Sequence, residues 1–251
     1  MPDNKYCYPG SDVLKNKLGI TDADELFEVE KELTSIRLQE LEMEPVKGDF
    51  SFRHLRDIHK YIFQDIYDWA GEIRTVEIGK GNLFCTTSCI HEYSESLFAK
   101  YFKQCYSAKD NIRKFINVLA INYGDLNALH PFREGNGRAQ REFARLLCLE
   151  CGYDFCLACT THKKMLAASK LSFDKGDNSG LIEIFSEAVK PLNTLMHNTD
   201  EMLRILTADD LIIGTGIEYD YYSYDEYENE KLYTDKYKEK ITKMNSEKII
   251  E

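Results

Sequence analysis

No stretch of these 251 residues reaches the ~20 consecutive apolar positions that a membrane-spanning helix needs, so no membrane partner is expected. The opening residues, Met1-Pro2-Asp3-Asn4-Lys5, hold no apolar stretch like a signal peptide's, and the expectation is a soluble, cytoplasmic chain. Positive charge is in short supply. Lys and Arg total 32 against 43 Asp and Glu, a net charge of −11. A field of that sign repels nucleic acid and anionic lipid, and direct nucleic-acid binding is not expected. Cysteine is present, eight times, but without metal-ligand spacing. Cys148-x-x-Cys151 and Cys156-x-x-Cys159 stand only four residues apart, whereas zinc ribbons leave roughly 12–20 between pairs. Cys148 and Cys151 fall on the apolar face of a helical pattern with Phe143, Leu146 and Leu147, where a thiol packs as a small hydrophobe.

Apolar material is sufficient. Hydrophobic residues make up 43% of the chain, with 16 Tyr and 13 Phe. That is enough for a core without disulfide or metal staples, in one large domain or two modest ones. Helical spacing dominates. Residues 23–42 carry Leu26, Val29, Leu33, Ile36, Leu38 and Leu41 behind the cap candidate Asp22. A second helix runs through Leu55, Ile58, Ile62, Ile66 and Trp69. Arg74 to Ile78 alternates polar and apolar residues, Gly79-Lys80-Gly81-Asn82 supplies turn residues, and Leu83-Phe84-Cys85 returns. This hairpin is the only strand signal. Helical patterns follow at 91–106, 111–129, 137–151, 161–170, 179–190 and 191–206. Seven tyrosines among acids lie between Tyr219 and Tyr237, followed by a Lys/Glu-rich stretch that cannot bury much apolar surface. The expected architecture is all-α with one β-hairpin.

The chemistry gathers in His130-Pro131-Phe132-Arg133-Glu134-Gly135-Asn136-Gly137-Arg138-Ala139-Gln140-Arg141. An apolar helix ends at Leu129, two glycines break regularity, and a new helix opens near Gly137. Gly135-Asn136-Gly137 lets backbone N–H groups converge at the positive end of that helix, an arrangement that favours a phosphate. Arg138 and Arg141 stand on adjacent turns and reach toward the same anion. Glu134 has two readings: a charge partner for the helix N-terminus, or a ligand of Mg²⁺, which takes one or two carboxylates and completes its shell with water and phosphates. A lone histidine is more often structural. Beside a phosphate nest, His130 becomes a candidate general base, because its ordinary pKa suits proton transfer near neutrality.

The twelve-residue string resembles the signature of the Fic (Fic/Doc) family, His-Pro-Phe-x-(Asp/Glu)-Gly-Asn-Gly-Arg-x-x-Arg, at every specified position. Upstream, His54-Leu55-x-x-Ile58-His59-x-x-Ile62-Phe63-x-x-Ile66-Tyr67-x-Trp69-Ala70-Gly71-x-Ile73-Arg74 is similar to the family's helix leading into its flap. The resemblance spans about residues 50–190. It implies a Fic-type helical bundle with one β-hairpin flap, and three parts: an N-terminal helical extension at 1–49, a catalytic domain at 50–206 and a tail at 207–251. It further implies AMP transfer from ATP with Mg²⁺ to a Tyr, Thr or Ser hydroxyl of a target protein. On that resemblance His130 is the base and Glu134 holds Mg²⁺. Gly135, Asn136 and Gly137 form an anion hole, Arg138 meets the β-phosphate and Arg141 the γ-phosphate. The flap, with Thr75, Val76, Glu77, Ile78, Lys80, Gly81 and Phe84, aligns the target by main-chain pairing.

Many relatives carry a Ser/Thr-x-x-x-Glu-Gly/Asn helix whose glutamate blocks the second motif arginine. Thr21/Glu25, Ser88/Glu92 and Ser179/Glu183 have the spacing, but Leu26, Tyr93 and Ile184 follow, so none completes the pattern. The resemblance then implies inhibition by a small antitoxin-like partner, as in toxin–antitoxin pairs, or a divergent internal helix. Alternatives on the same loop are AMP removal, transfer of another phosphate-containing group, or a non-catalytic nucleotide-binding adaptor. Gly137 disfavours the phosphorylating Doc variant, which has Lys there. Self-modification at Tyr221, Tyr222 or Tyr224 is a further expectation.

Overall fold

The computed structural model describes residues 5–80 and 82–192, and among them eight α-helices build the body of the protein. Helix α1 (Ala23–Met43) starts where the Asp22 carboxylate accepts the Glu25 N–H at 2.9 Å, as expected of an acidic N-cap. Its buried stripe is Leu26, Glu30, Thr34, Leu38 and Leu41, with Val29 alongside. The expected stripe differed: Leu33 is only partly covered and Ile36 is exposed. The true stripe follows the i, i+4, i+4 spacing through two polar residues, which hydrophobicity alone passes over.

Helix α2 (Phe52–Phe63) is capped by Ser51 and stops six residues short of Trp69. Ile66, Tyr67 and Ala70 remain buried, carried by turns that keep their side chains directed inward. The hairpin is present but small: β1 (Gly79–Lys80) pairs antiparallel with β2 (Asn82–Leu83), Gly79 opposite Leu83. Residues 74–78, expected as strand, are not. Their polar groups bond to the loop that begins at His130 and to the base of the hairpin instead of to a neighbouring strand. The expected helix at 91–106 is two, α3 (Ile90–Phe98) and α4 (Tyr101–Ala108), broken at Ala99-Lys100.

The core forms around α5 (Ile112–Leu129), begun by Asn111 and buried through Phe115, Leu119, Ala120, Leu126 and Leu129. Helix α6 (Asn136–Glu150), α7 (His162–Lys175) and α8 (Ser179–Ala188) pack with it, and α2 lies across α6. A second ribbon pairs β3 (Tyr153–Phe155) with β4 (Val189–Pro191), Phe155 opposite Val189. It was not expected. Three-residue strands are too short for alternation to register, and the helical pattern of 179–190 runs two residues past the end of α8. Cys148 and Cys151 are buried at the C-terminal end of α6, and burial raises both thiols, Cys151 to about 11. The patterns from 193 onward, including the tyrosine-rich stretch and Tyr221, Tyr222 and Tyr224, lie outside the described residues, as does Gly81. No helix among the described residues is long and apolar enough to cross a membrane.

Candidate active site

Helix α5 ends abruptly. His130 takes the left-handed conformation, φ 43°, and its N–H closes the helix on Leu126 O at 3.3 Å. A non-glycine residue rarely adopts this backbone, and it persists where surroundings fix it. The fixing groups are visible. Arg74 Nε donates to His130 O at 2.8 Å, and Arg74 N donates to Pro131 O at 2.9 Å. The imidazole lies flat on Phe84, ring centroids 3.7 Å apart and planes 10° from parallel. Its Nδ1 is 3.2 Å from Asn127 O. A carbonyl only accepts, so this contact puts the proton on Nδ1 and the basic lone pair on Nε2.

The turn between α5 and α6 is closed by Asn136, whose side chain accepts from Phe132 N at 2.9 Å and donates to Phe132 O at 2.8 Å. That side chain is buried and spent on the loop, leaving its backbone N–H as the group directed to the helix start. Phe132 is fully buried beneath His59, centroids 3.8 Å apart. Gly135 caps α6 with φ 77°, and a Cβ there would lie 2.1 Å from the Phe63 ring, so only glycine lets the chain cross Phe63 at this height. At the first turn of α6 the Asn136 and Gly137 N–H groups have no intrahelical partner, the ordinary condition of a helix start. This is the feature that attracts an anion.

The charged residues divide. Glu134 is 43% exposed; one oxygen accepts the Gly135 N–H at 2.9 Å and sits 3.8 Å from Arg138 Nη2. It is therefore a charge partner of the helix start and a carboxylate open to solvent at once. Arg141 Nη1 lies 3.1 Å from where a Cβ on Gly137 would be, which lays the guanidinium along the loop. Arg138 is turned inward, with a side chain only 9% exposed. Its Nη2 meets Glu30 of α1 at 2.6 Å, its Nη1 meets Thr34 Oγ1 at 3.2 Å, and its guanidinium covers the Phe63 ring at 4.5 Å. Glu30 also accepts from the Tyr67 hydroxyl. Lys80 lies at the turn of the hairpin, with Thr75, Val76, Glu77, Ile78 and Phe84 on its two legs. Glu77 accepts from Thr87 through both N–H and hydroxyl.

Four residues at this site went unread or unexplained in the sequence: Glu30, His59, Phe63 and Arg74. His59 Nδ1 accepts the Gly71 N–H at 2.9 Å, which fixes the proton on Nε2, and Nε2 donates to Glu134 O at 2.9 Å. Burial pushes this imidazole down to about 3, with the nearby Arg138 charge acting the same way. It stays neutral and braces the loop. The available signal for Glu30 was a charged residue within an apolar i, i+4 stripe, and for His59 a histidine on the apolar face of α2.

The match to the Fic/DOC family model covers residues 49–148, from the start of α2 through the loop and most of α6. "Probable protein adenylyltransferase y4lH" of Sinorhizobium fredii is 36% identical over 173 residues, spanning 68% of this chain and 88% of the relative. The chain belongs to the Fic/DOC family. "Probable protein adenylyltransferase Fic" of Escherichia coli is likewise 36% identical over 186 residues, 73% of this chain and 91% of the relative. Among solved Fic structures, the N-terminal Fic domain of a Bartonella quintana cell filamentation protein with bound ADP superposes with a TM-score of 0.69 at 27% identity. It covers 77% of this chain and 98% of that domain. The Fic-type helical bundle with a flap is thus the fold, as the loop sequence implied.

Proposed function

We propose that this Fic/DOC chain is a protein adenylyltransferase, which moves AMP from ATP onto a hydroxyl of a target protein. The observation that carries the reading is the imidazole of His130, its Nδ1 committed to Asn127 O, beside a glycine-rich helix start flanked by arginines. His130 Nε2 takes the proton of the incoming Tyr, Thr or Ser hydroxyl. The oxygen attacks the α-phosphorus, a new O–P bond forms, the bond to the β-phosphate bridge breaks, and pyrophosphate leaves. There is little covalent work for a protein in such a step, so placement and charge stabilisation are its main contributions. The backbone N–H groups of Asn136 and Gly137, with Arg141, offset the charge that grows on the leaving group; the Gly135 N–H and Arg138, held by Glu134 and Glu30, would join them only on release from those carboxylates. Family relatives named protein adenylyltransferases, and a Fic domain with bound ADP, support ATP as the donor.

Glu134 fits a magnesium site of the substrate-assisted kind. It is one solvent-open carboxylate next to a phosphate nest, and no group of three His, Cys, Asp or Glu among the described residues offers an all-protein cage. Bound there with the triphosphate, Mg²⁺ would neutralise phosphate charge. The flap from Thr75 to Phe84 would receive the target segment along its exposed edge. A small antitoxin-like inhibitor fits the lack of a Ser/Thr-x-x-x-Glu-Gly/Asn helix in the sequence. A cytoplasmic location and the partition at residues 49 and 206 belong to the same reading.

Mass spectrometry of proteins incubated with this chain, ATP and Mg²⁺ tests it. The reading expects an AMP adduct on a hydroxyl side chain, absent when His130→Ala replaces the wild type. Removal of AMP from an already modified protein, with no adduct formed from ATP, would replace it with the reverse reaction.

A further inference from the structure

Arg74 is the largest fully buried side chain among the described residues, with 0% of it exposed. A guanidinium carries five N–H donors in a rigid fork, and leaving them unpaired inside a protein is costly. Here three of them are spent on main-chain carbonyls from three separate places. Nε donates to His130 O at 2.8 Å, Nη1 to Val76 O at 2.8 Å, and Nη2 to Cys85 O. Glu77 stands 3.6 Å from Nη1 and supplies the counter-charge. Val76 and Cys85 are the two legs of the flap at its base. Between them the flap folds back through Phe84, whose N–H donates to Ile78 O at 3.2 Å and whose ring lies on the His130 imidazole. Cys85 N also donates to Ala128 O at 3.0 Å, at the end of the helix that leads into His130.

Arg74 therefore touches the catalytic base by two routes. One is direct, through the carbonyl of the residue in its left-handed conformation. The other runs through both flap legs to Phe84 and onto the imidazole face. We propose that Arg74 is a positioning residue that locks the target-docking flap and the His130 base into one geometry. It touches neither nucleotide nor acceptor itself. The inference deepens the adenylyltransferase reading and rests on it for the chemistry, while the lock is a property of the fold.

Lysine keeps the charge but presents its three N–H donors from a single point, so it cannot span three carbonyls set around a planar fork. The test compares full-length wild type with Arg74→Lys and Arg74→Gln in three measurements. The first is the ¹⁵N spectrum of the His130 ring, which reports tautomer and environment. The second is amide hydrogen exchange along Thr75 to Cys85 against exchange in α5. The third is the split between ADP affinity and the rate of AMP transfer. The proposal expects Arg74→Lys to shift the His130 ring nitrogens and to speed exchange in the flap more than in α5. It expects ADP affinity to hold within about 2-fold while kcat falls by about 100-fold, the scale of an ångström-sized misplacement of a reacting group.

Unchanged ring nitrogens and unchanged flap exchange in a folded Arg74→Lys protein would overturn the proposal. So would a uniform rise of exchange in flap and α5 with ADP affinity lost in proportion, since that marks a purely structural role. Should Arg74→Gln fail to fold, the lysine variant still decides. If wild type itself transfers no AMP, the adenylyltransferase reading fails, and the ring and exchange measurements judge the lock on their own.

Discussion

The two ends of the His130–Arg138 loop are held in opposite ways. At the His130 end a buried cation from outside the loop, Arg74, grips backbone carbonyls. At the Arg138 end the loop's own cation is gripped by a buried anion, Glu30 of α1. The His130 end, the proposed base, is secured through main chain and so tolerates no change in the path of the chain. The Arg138 end, the proposed phosphate site, is secured through side chains, so charge placement matters there more than backbone. Between them, His59 and Phe63 of α2 form an apolar floor on which Glu134, Gly135 and Phe132 rest. Placing a base near a charge-stabilising nest calls for this rigidity on both sides.

Substitutions that attack one end alone sharpen the contrast. The largest effect belongs to the base end: His130→Ala should cost about 10²–10⁴-fold in AMP transfer while ADP binding, measured calorimetrically, stays close to wild type. Equal loss of both would mean that the two ends do not act separately. The phosphate end should answer in stability first. Glu30→Ala strands a buried guanidinium, for which about 3–5 kcal/mol of unfolding free energy is the expected loss by denaturant titration. Joint replacement of Glu30 and Arg138 by methionine should recover much of that stability yet leave ADP binding weak. Full recovery of binding would remove Arg138 from the phosphate site.

Gly135→Ala strikes the floor itself. The left-handed backbone costs roughly 1–3 kcal/mol for a side-chain-bearing residue, and the added methyl collides with Phe63, so a lowered thermal midpoint and loss of ADP binding are expected together. The last effect is one of pH, and near neutrality it vanishes. His59 is held down to about 3 in the fold by desolvation, against about 6.5 in an unfolded chain. Between those values the unfolded state binds the extra proton, so stability rises with pH and is lost as pH falls from about 6.5 toward 3. His59→Gln, which does not titrate, should flatten the thermal midpoint over that window. An equally steep profile in the variant would assign the acid sensitivity elsewhere.

What the sequence revealed and what it hid follows the same division. The loop is contiguous. Its helix stop, its glycines and its arginines lie within twelve residues, and local rules suffice to read from them the end of α5, the glycine turn and the start of α6. The supports are not contiguous. Glu30 precedes Arg138 by 108 positions and Arg74 precedes His130 by 56, and nothing local to either residue declares its partner. Arg74 looked like the first residue of a strand, because Arg-Thr-Val-Glu-Ile alternates polar and apolar. The alternation is real, but those residues are committed to tertiary hydrogen bonds rather than to a sheet ladder. Likewise α2 gave way at Phe63 to buried turns that continue an apolar pattern without continuing a helix. Glu30 is hidden because hydrophobic spacing marks only the apolar members of α1, whereas the buried stripe includes two polar positions.

One measurement bears most directly on the whole account. ATP labelled at the α-phosphate and ATP labelled at the γ-phosphate are given in parallel to wild type and to His130→Ala, with acceptor protein present. Label from the α-position alone should become bound to protein, with pyrophosphate released, and the variant should show almost none. Transfer of γ-label, or α-label arriving as readily without the imidazole, would contradict it.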